Sequence, residues 1–581
     1  MASKTPEDFW QLAASHDKTA RKWRVGDAAK GARGFLRAIE VYTTGLQQHP
    51  ANFELAYNRA QAYMTIIQEP RFLPYLPSPQ VDFLRSTIEA NRYVLNLNPK
   101  TADVLFNTGQ ALSSLAEELS EQDASKSEAI ALLAEALDLY DKCLAQQAKL
   151  ITEANEMVRE AESEAQMRAE IESQELDYDV LPMETDAKKG SNEDQDMHRE
   201  QTEVNATLID PTTEDDMIDT GLAKLSAMTI LCALYDHMSH MAVGLFVANP
   251  SLSFLEQTAS DLLENGVLAV RPQTQDPTRL RAIEIFLARA SFMCALSAAY
   301  YRARHTDVST YHARIEAAYS DITSNVPSSD QSSEVLCAYA ESLMDFASTV
   351  TEIHAHLHTY TPPFPSPAVD PAHWPRVRWR ALSHAQSLLK TAADLPNASK
   401  DPLAQSRIFA LRAAVELFRL RAMAAFKEDW QKPEWSANGV VAADSGVESK
   451  GVQGGPQGNL VGNAGVYYRG AVKWLRAAEG TTWKERVWKT AGDEERDLFV
   501  REWVVNMLKV MVLEEGKGLQ WKIEAGLERF QDSVEMGEEG LEMVAKVVKD
   551  MGEERLLPFL FADSLYGHVS KAIEVLDLPI P

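Results

Sequence analysis

Residues 38–64 read AIEVYTTGLQQHPANFELAYNRAQAYM, and their spacing decides the fold class. The first part, Ala38 to Pro50, sets Ala38, Tyr42 and Gly45 at three- and four-residue steps and ends on proline. The second, Ala56 to Met64, sets Ala60 and Tyr63 in the same relation. Steps of three and four place residues on one face of an α-helix. Small residues at those steps let two helices approach closely, and bulky residues between them fill the groove. Proline ends the first helix because it cannot continue a helix interior.

The pattern returns twice. RSTIEANRYVLNLNP ends at Pro99, and LFNTGQAL follows from Leu105 to Leu112 with Gly109 at the small position. EALDLYDKCLAQQ then sets Ala136, Tyr140 and Cys143 at the same three steps. On these residues the N-terminal region resembles the tetratricopeptide repeat superfamily. Ala38, Tyr42, Gly45 and Pro50 stand at that family's second-helix positions, and Ala60 and Tyr63 at its first-helix positions. The resemblance implies stacked helix pairs whose first helices line a concave groove. Tyr57, Asn58, Gln61, Phe106, Asn107 and Gln110 would then face or flank that partner-binding groove. Asn58 also matches an asparagine of the family's carboxylate clamp. The clamp's cations are missing, because the corresponding positions here are Asp103 and Asn107. The loop Glu69 to Gln80, EPRFLPYLPSPQ, is longer than the tight turn within a family repeat.

Working outward, apolar residues keep helical spacing almost everywhere, and strand-like alternation is scarce. The reading is an all-α chain: a helical-repeat array, an acidic disordered insertion and a C-terminal helical block. Residues 1–152 form the repeats. Residues 153–219 carry 22 Asp/Glu against 5 Lys/Arg. The first part of this segment can extend the preceding helix. Its later part has too little apolar surface to offset the entropy of ordering. Residues 220–436 form a second helical block with worn repeats, predicted to hold helices at 217–245, 251–266, 278–304, 309–324, 332–358, 376–394 and 402–428. Thr361 to Pro375 is a non-helical connector. Residues 437–465 are a glycine-rich flexible loop, and 466–581 a last helical block with five of the eleven tryptophans.

The net charge of −28 repels nucleic-acid phosphates and anionic lipid, so neither direct nucleic-acid binding nor a membrane partner is expected. The longest apolar run, Met241 to Ala248, is too short to span a bilayer. The N-terminal residues lack the apolar core of a signal peptide, which points to the cytoplasm or nucleus. Cys143, Cys232, Cys294 and Cys337 are widely separated and read as buried, reduced thiols.

His354, His356 and His358 alternate at a helix end, where solvated histidines are expected and a metal is not. GVQGGPQGNLVGNAG lacks the strand and the Lys-Ser/Thr pair of a phosphate loop. Trp374, Arg376, Arg378, Trp379 and Arg380 read as a packed helix start with snorkelling arginines. No catalytic motif or cofactor fingerprint is found. The expectation is a non-enzymatic adaptor or assembly chaperone for a protein partner, with a basic client such as an unassembled ribosomal protein or histone suited to the acidic charge. The alternatives are a structural subunit of a larger complex and, third, an enzyme with a helical fold. Oligomeric state is not legible from the sequence.

Overall fold

The computed structural model describes residues 5–24, 26–120, 125–176, 212–235, 251–269, 278–303, 305–325, 332–357, 373–425, 455–478, 496–498, 500–505 and 538–553. Among these the chain is almost wholly helical and contains no strand, so the all-α class holds. The chain divides into two compact units: Met1–Leu234 with Ala248–Pro272, and Tyr235–Val247 with Gln273–Pro581.

The first unit opens with α1 (Pro6–Trp23), whose start is set by a capping box between Thr5 and Asp8. Asp27 and Asn52 cap α2 (Ala28–Gln48) and α3 (Phe53–Ile67) by accepting backbone N–H bonds from Lys30 and Leu55. α4 (Gln80–Leu97), α5 (Ala102–Ser120), α6 (Lys126–Leu176), α7 (Glu214–Leu234) and α8 (Leu252–Ser260) follow. From α1 to α7, each helix packs on the next. In addition α1 touches α3, α3 touches α5, and α5 touches α7.

The small residues singled out above sit where helices close on one another. Ala38, Gly45, Ala60, Gly109 and Ala136 are all buried. A Cβ on Gly45 would lie 3.0 Å from Leu55 and Phe9, and one on Gly109 would lie 2.7 Å from the Tyr140 ring. The bulky Tyr140 fills the gap over Gly109, and Tyr42 is buried in the same unit.

The long loop after α3 is not an idle insertion. Pro70–Tyr75 wind into a 3-10 turn that buries Phe72 against Phe35, ring centroids 5.8 Å apart. Glu69 anchors the turn by accepting from Arg24 Nε at 2.8 Å and Arg71 Nε at 2.9 Å. The bonds from Arg71 and Arg24 hold the Glu69 carboxyl well below its ordinary value, at about 2. A depressed carboxylate stabilises the fold above its unfolded pKa and loses that contribution as pH falls through the folded one. Glu69→Gln is therefore expected to lower the denaturation midpoint at pH 7. The gap between variant and parent should close as pH falls from 4.5 toward about 2. Urea titrations across that range check it.

α6 is 51 residues long and carries helix through residue 152 into the acidic stretch. Thr213 and Asp216 form a capping box that starts α7 at Glu214. Residues 177–211, the centre of the expected insertion, lie outside the described residues. α7 is fixed to α6 by Lys224, paired with Asp141, and by Gln147, whose Nε2 donates to the Asp216 carbonyl at 3.3 Å.

In the second unit, α9 (Thr278–Arg302), α10 (Val308–Asn325) and α11 (Ser333–Leu357) pack on one another. α12 (His373–Asp394) lies against α10 and α11. The short α13 (Pro396–Lys400) leads to α14 (Pro402–Ala425), which touches α11, α12, α13 and α15 (Gly455–Ala478). α14 is consequently buried on most sides, which accounts for its weak amphipathic pattern. Residues 496–498 and 500–505 are helical, and α16 (Glu538–Glu553) adds Val544, Val547, Val548 and Met551 to the core.

Two sequence expectations need correction here. The glycine-rich loop was expected to run to residue 465, yet α15 begins at Gly455. Leu460, Val461, Ala464, Tyr468, Ala471 and Leu475 form one buried stripe, and that apolar burial outweighs the weak helix propensity of the glycines between them. The snorkelling reading fails at Arg378, which is completely buried. Its position among Trp374, Val377, Leu382 and Ala385 puts it on the core-facing side of α12.

Two helices, Glu214–Leu234 and Arg281–Arg302, are long and apolar enough to cross a membrane. Much of that apolar character is turned inward. Leu225, Met228 and Leu231 are fully buried in the first unit, and Ala290, Phe292 and Ala299 in the second.

Candidate functional site

The sequence-predicted groove residues lie on α3 and α5, which touch directly. α3 buries Leu55, Ala56, Ala60, Ala62, Met64 and Ile66 against its neighbours. Tyr57, Asn58 and Gln61 remain half-exposed on the side left over. On α5, Phe106 and Gln110 are half-exposed in the same way, and Asp103 is exposed. Asn107 departs from the expectation, because it is buried, one turn along α5 from the exposed Asp103.

Side-chain bonds hold the two helices in register. The Tyr57 hydroxyl donates to Asp103 Oδ2 at 3.1 Å. Further along, Gln68 Nε2 donates to Gln110 Oε1 at 3.2 Å. Burial, reinforced by Asp103, pushes the Tyr57 hydroxyl above its ordinary value, so it stays a neutral donor at physiological pH. The Tyr57 ring also stacks on Phe53, with centroids 5.8 Å apart. Phe106 leans on Tyr140 of α6 at 6.2 Å. Asn58 turns inward on its own helix and donates to the Glu54 carbonyl at 2.8 Å.

The structure thus joins Tyr57, Asp103 and Gln110 across the α3–α5 seam, while Asn58 satisfies itself locally. Gln68 and Phe53 belong to this face and were missed. Gln68 lies seven residues after Gln61, a spacing that returns to nearly the same side of a helix. The face offers amide, phenol and carboxylate groups beside two aromatic rings. That chemistry suits hydrogen bonding and stacking against a peptide or protein surface.

The thiols are poor nucleophiles. Burial pushes Cys143 and Cys337 up to about 11 and Cys294 to about 12, and Cys232 is buried as well. The thiolate is the reactive form. The native protein should therefore react slowly with a thiol reagent at pH 8, and all four cysteines should react once it is denatured. Fast labelling of the native chain would show that the helices around them open readily.

Among the described residues, no three His, Cys, Asp or Glu side chains converge as a metal site requires. The side chains of His354 and His356, and all of His358, lie outside the described residues. Trp379 is covered by the Arg419 guanidinium, 4.5 Å from its ring centroid, and is buried. The tryptophan–arginine segment is therefore committed to the core and offers no open stacking platform at that ring.

No protein-family model matches the chain, and no curated protein resembles it at a significant level.

Proposed function

We propose that this chain is a non-enzymatic adaptor or assembly chaperone that presents the α3–α5 face to a basic client protein, as an array of tetratricopeptide-like helix pairs. The observation that carries the reading is the bonded seam itself. Tyr57, Gln61, Phe106 and Gln110 are held half-exposed on two helices in fixed register. A partner meeting this face finds groups already ordered, which lowers the entropy cost of binding. The helix-pair contacts and the small residues at the closest approaches agree with the family resemblance. The excess of acidic over basic residues agrees with a basic client.

Affinity purification from cells, followed by identification of the stoichiometric partner, is the direct experiment. The expected partner is basic, and Tyr57→Ala with Phe106→Ala should speed its dissociation about tenfold or more, as loss of aromatic anchors commonly does. Tyr57→Phe, which removes only the bond to Asp103, should do less. Circular dichroism must show each variant folded. A fixed set of neutral partners, insensitive to these substitutions, would favour the structural-subunit reading instead.

A further inference from the structure

We propose that the exposed stretch of α6, Asn155–Met167, is a docking strip for a basic amphipathic helix of a partner protein. This rests on the protein-binding reading above but names a second surface, separate from the α3–α5 face.

The first half of α6 is a packed helix. Ala129, Leu133, Ala136, Tyr140 and Cys143 are buried against α5 and α7. Burial then stops while the helix continues. Every residue from Asn155 to Met167 is exposed. Met157 is 63% and Val158 56% exposed, among the most exposed large apolar side chains described. They are not scattered. Leu150, Ile151, Ala154, Met157, Val158, Ala161 and Ala165 follow one another at helical steps and form a single stripe. The small alanines would let a second helix lie close, with Met157 and Val158 as the protruding contacts.

The flanks of the stripe are acidic. Ile151–Leu176 hold eight glutamates against two arginines. Glu156, Glu160 and Glu164 succeed one another at four-residue steps, an arrangement that repels within a helix. Most helical stability comes from tertiary packing of an apolar face, which the exposed stretch lacks. Glu153, Glu162 and Glu164 border the apolar stripe, so a cationic partner lying over it would meet those carboxylates and cover the apolar residues in the same contact.

Charge also decides among the possible occupants. A second copy of the strip would bring its own glutamates against these. The segment that follows, residues 177–211, carries ten acidic and three basic residues and is repelled likewise. A Lys/Arg-rich helix with apolar residues at three- and four-residue steps meets both requirements.

The test uses the full chain and two synthetic helical peptides. Both carry leucines at heptad spacing; one is flanked by lysine and arginine, the other by glutamate. Fluorescence anisotropy should show binding of the basic peptide, weakening as salt rises, and none of the acidic one. Met157→Gln with Val158→Gln should weaken binding about tenfold, the scale of losing central apolar contacts. Glu153→Gln, Glu162→Gln and Glu164→Gln together should flatten the salt dependence. Tyr57→Ala should leave peptide binding unchanged, which separates this strip from the α3–α5 face. Neutralising three acids elsewhere, Glu7, Glu40 and Glu117, should also change little. If those distant substitutions weaken binding equally, only net charge is at work and the strip is no site. If sedimentation shows a dimer that Met157→Gln dissolves, a second copy occupies the stripe and the proposal falls.

Discussion

Tyr140→Ala should destabilise the first unit by about 3–5 kcal/mol, the range for deleting a large buried ring. The ring is 1% exposed and fills the space over Gly109, with its centroid 6.2 Å from that of Phe106. Its removal would open a cavity between α5 and α6, which the backbone can close only by moving a helix. Gly109→Val tests the same contact from the other side. Its first side-chain carbon would stand 2.7 Å from the Tyr140 ring, so the ring or the helix must shift. Urea denaturation followed by circular dichroism measures both. If Tyr140→Ala costs less than about 1 kcal/mol, the seam between α5 and α6 is far looser than a packed core.

Arg378→Met should do the opposite and raise stability, by about 2–4 kcal/mol. Arg378 is fully buried, and among the described residues none of its three guanidinium nitrogens has a hydrogen-bond partner. Burial, with Arg421 adding a second positive charge nearby, pulls its pKa down to about 9. An unpaired buried cation costs several kcal/mol that a flexible apolar side chain of similar length does not. Chemical denaturation at neutral pH decides the sign. A fall in stability would show that an anion accompanies the arginine in the folded protein.

The comparison with the sequence divides along physical lines. Two helices with clear apolar periodicity were legible to within a residue. The expected 309–324 and 332–358 became Val308–Asn325 and Ser333–Leu357. Where local signals conflict with long-range packing, the reading failed. Pro70 and Pro74 marked a loop, but Phe72 finds Phe35, far away in sequence, and the loop winds into a 3-10 turn that buries that one ring. Glycines marked a linker through residue 465, although α15 begins at Gly455 and buries Leu460, Val461 and Ala464 within that stretch. Arginine ordinarily marks surface, and Arg378 is core. Of the six residues that the resemblance placed on the α3–α5 face, Tyr57, Asn58, Gln61, Phe106 and Gln110 are half-exposed and Asn107 is buried. The bonding of that face was not legible, because Tyr57 and Asp103 are separated by 46 positions and only the stacking of helices brings them together.

The length of α6 imposes a limit on the segment that follows it. Gln147 is bonded to Asp216 at the foot of α7, yet the helix continues 29 residues beyond Gln147 to Leu176. At 1.5 Å per residue, that carries the chain about 44 Å along the axis before it must return. Residues 177–213 connect that end of α6 to the start of α7. Fully extended, about 13 residues are the fewest that could bridge that distance. Shortening this segment beyond that point would have to unwind the end of α6, so the acidic segment acts as a tether whose minimum length the helix dictates.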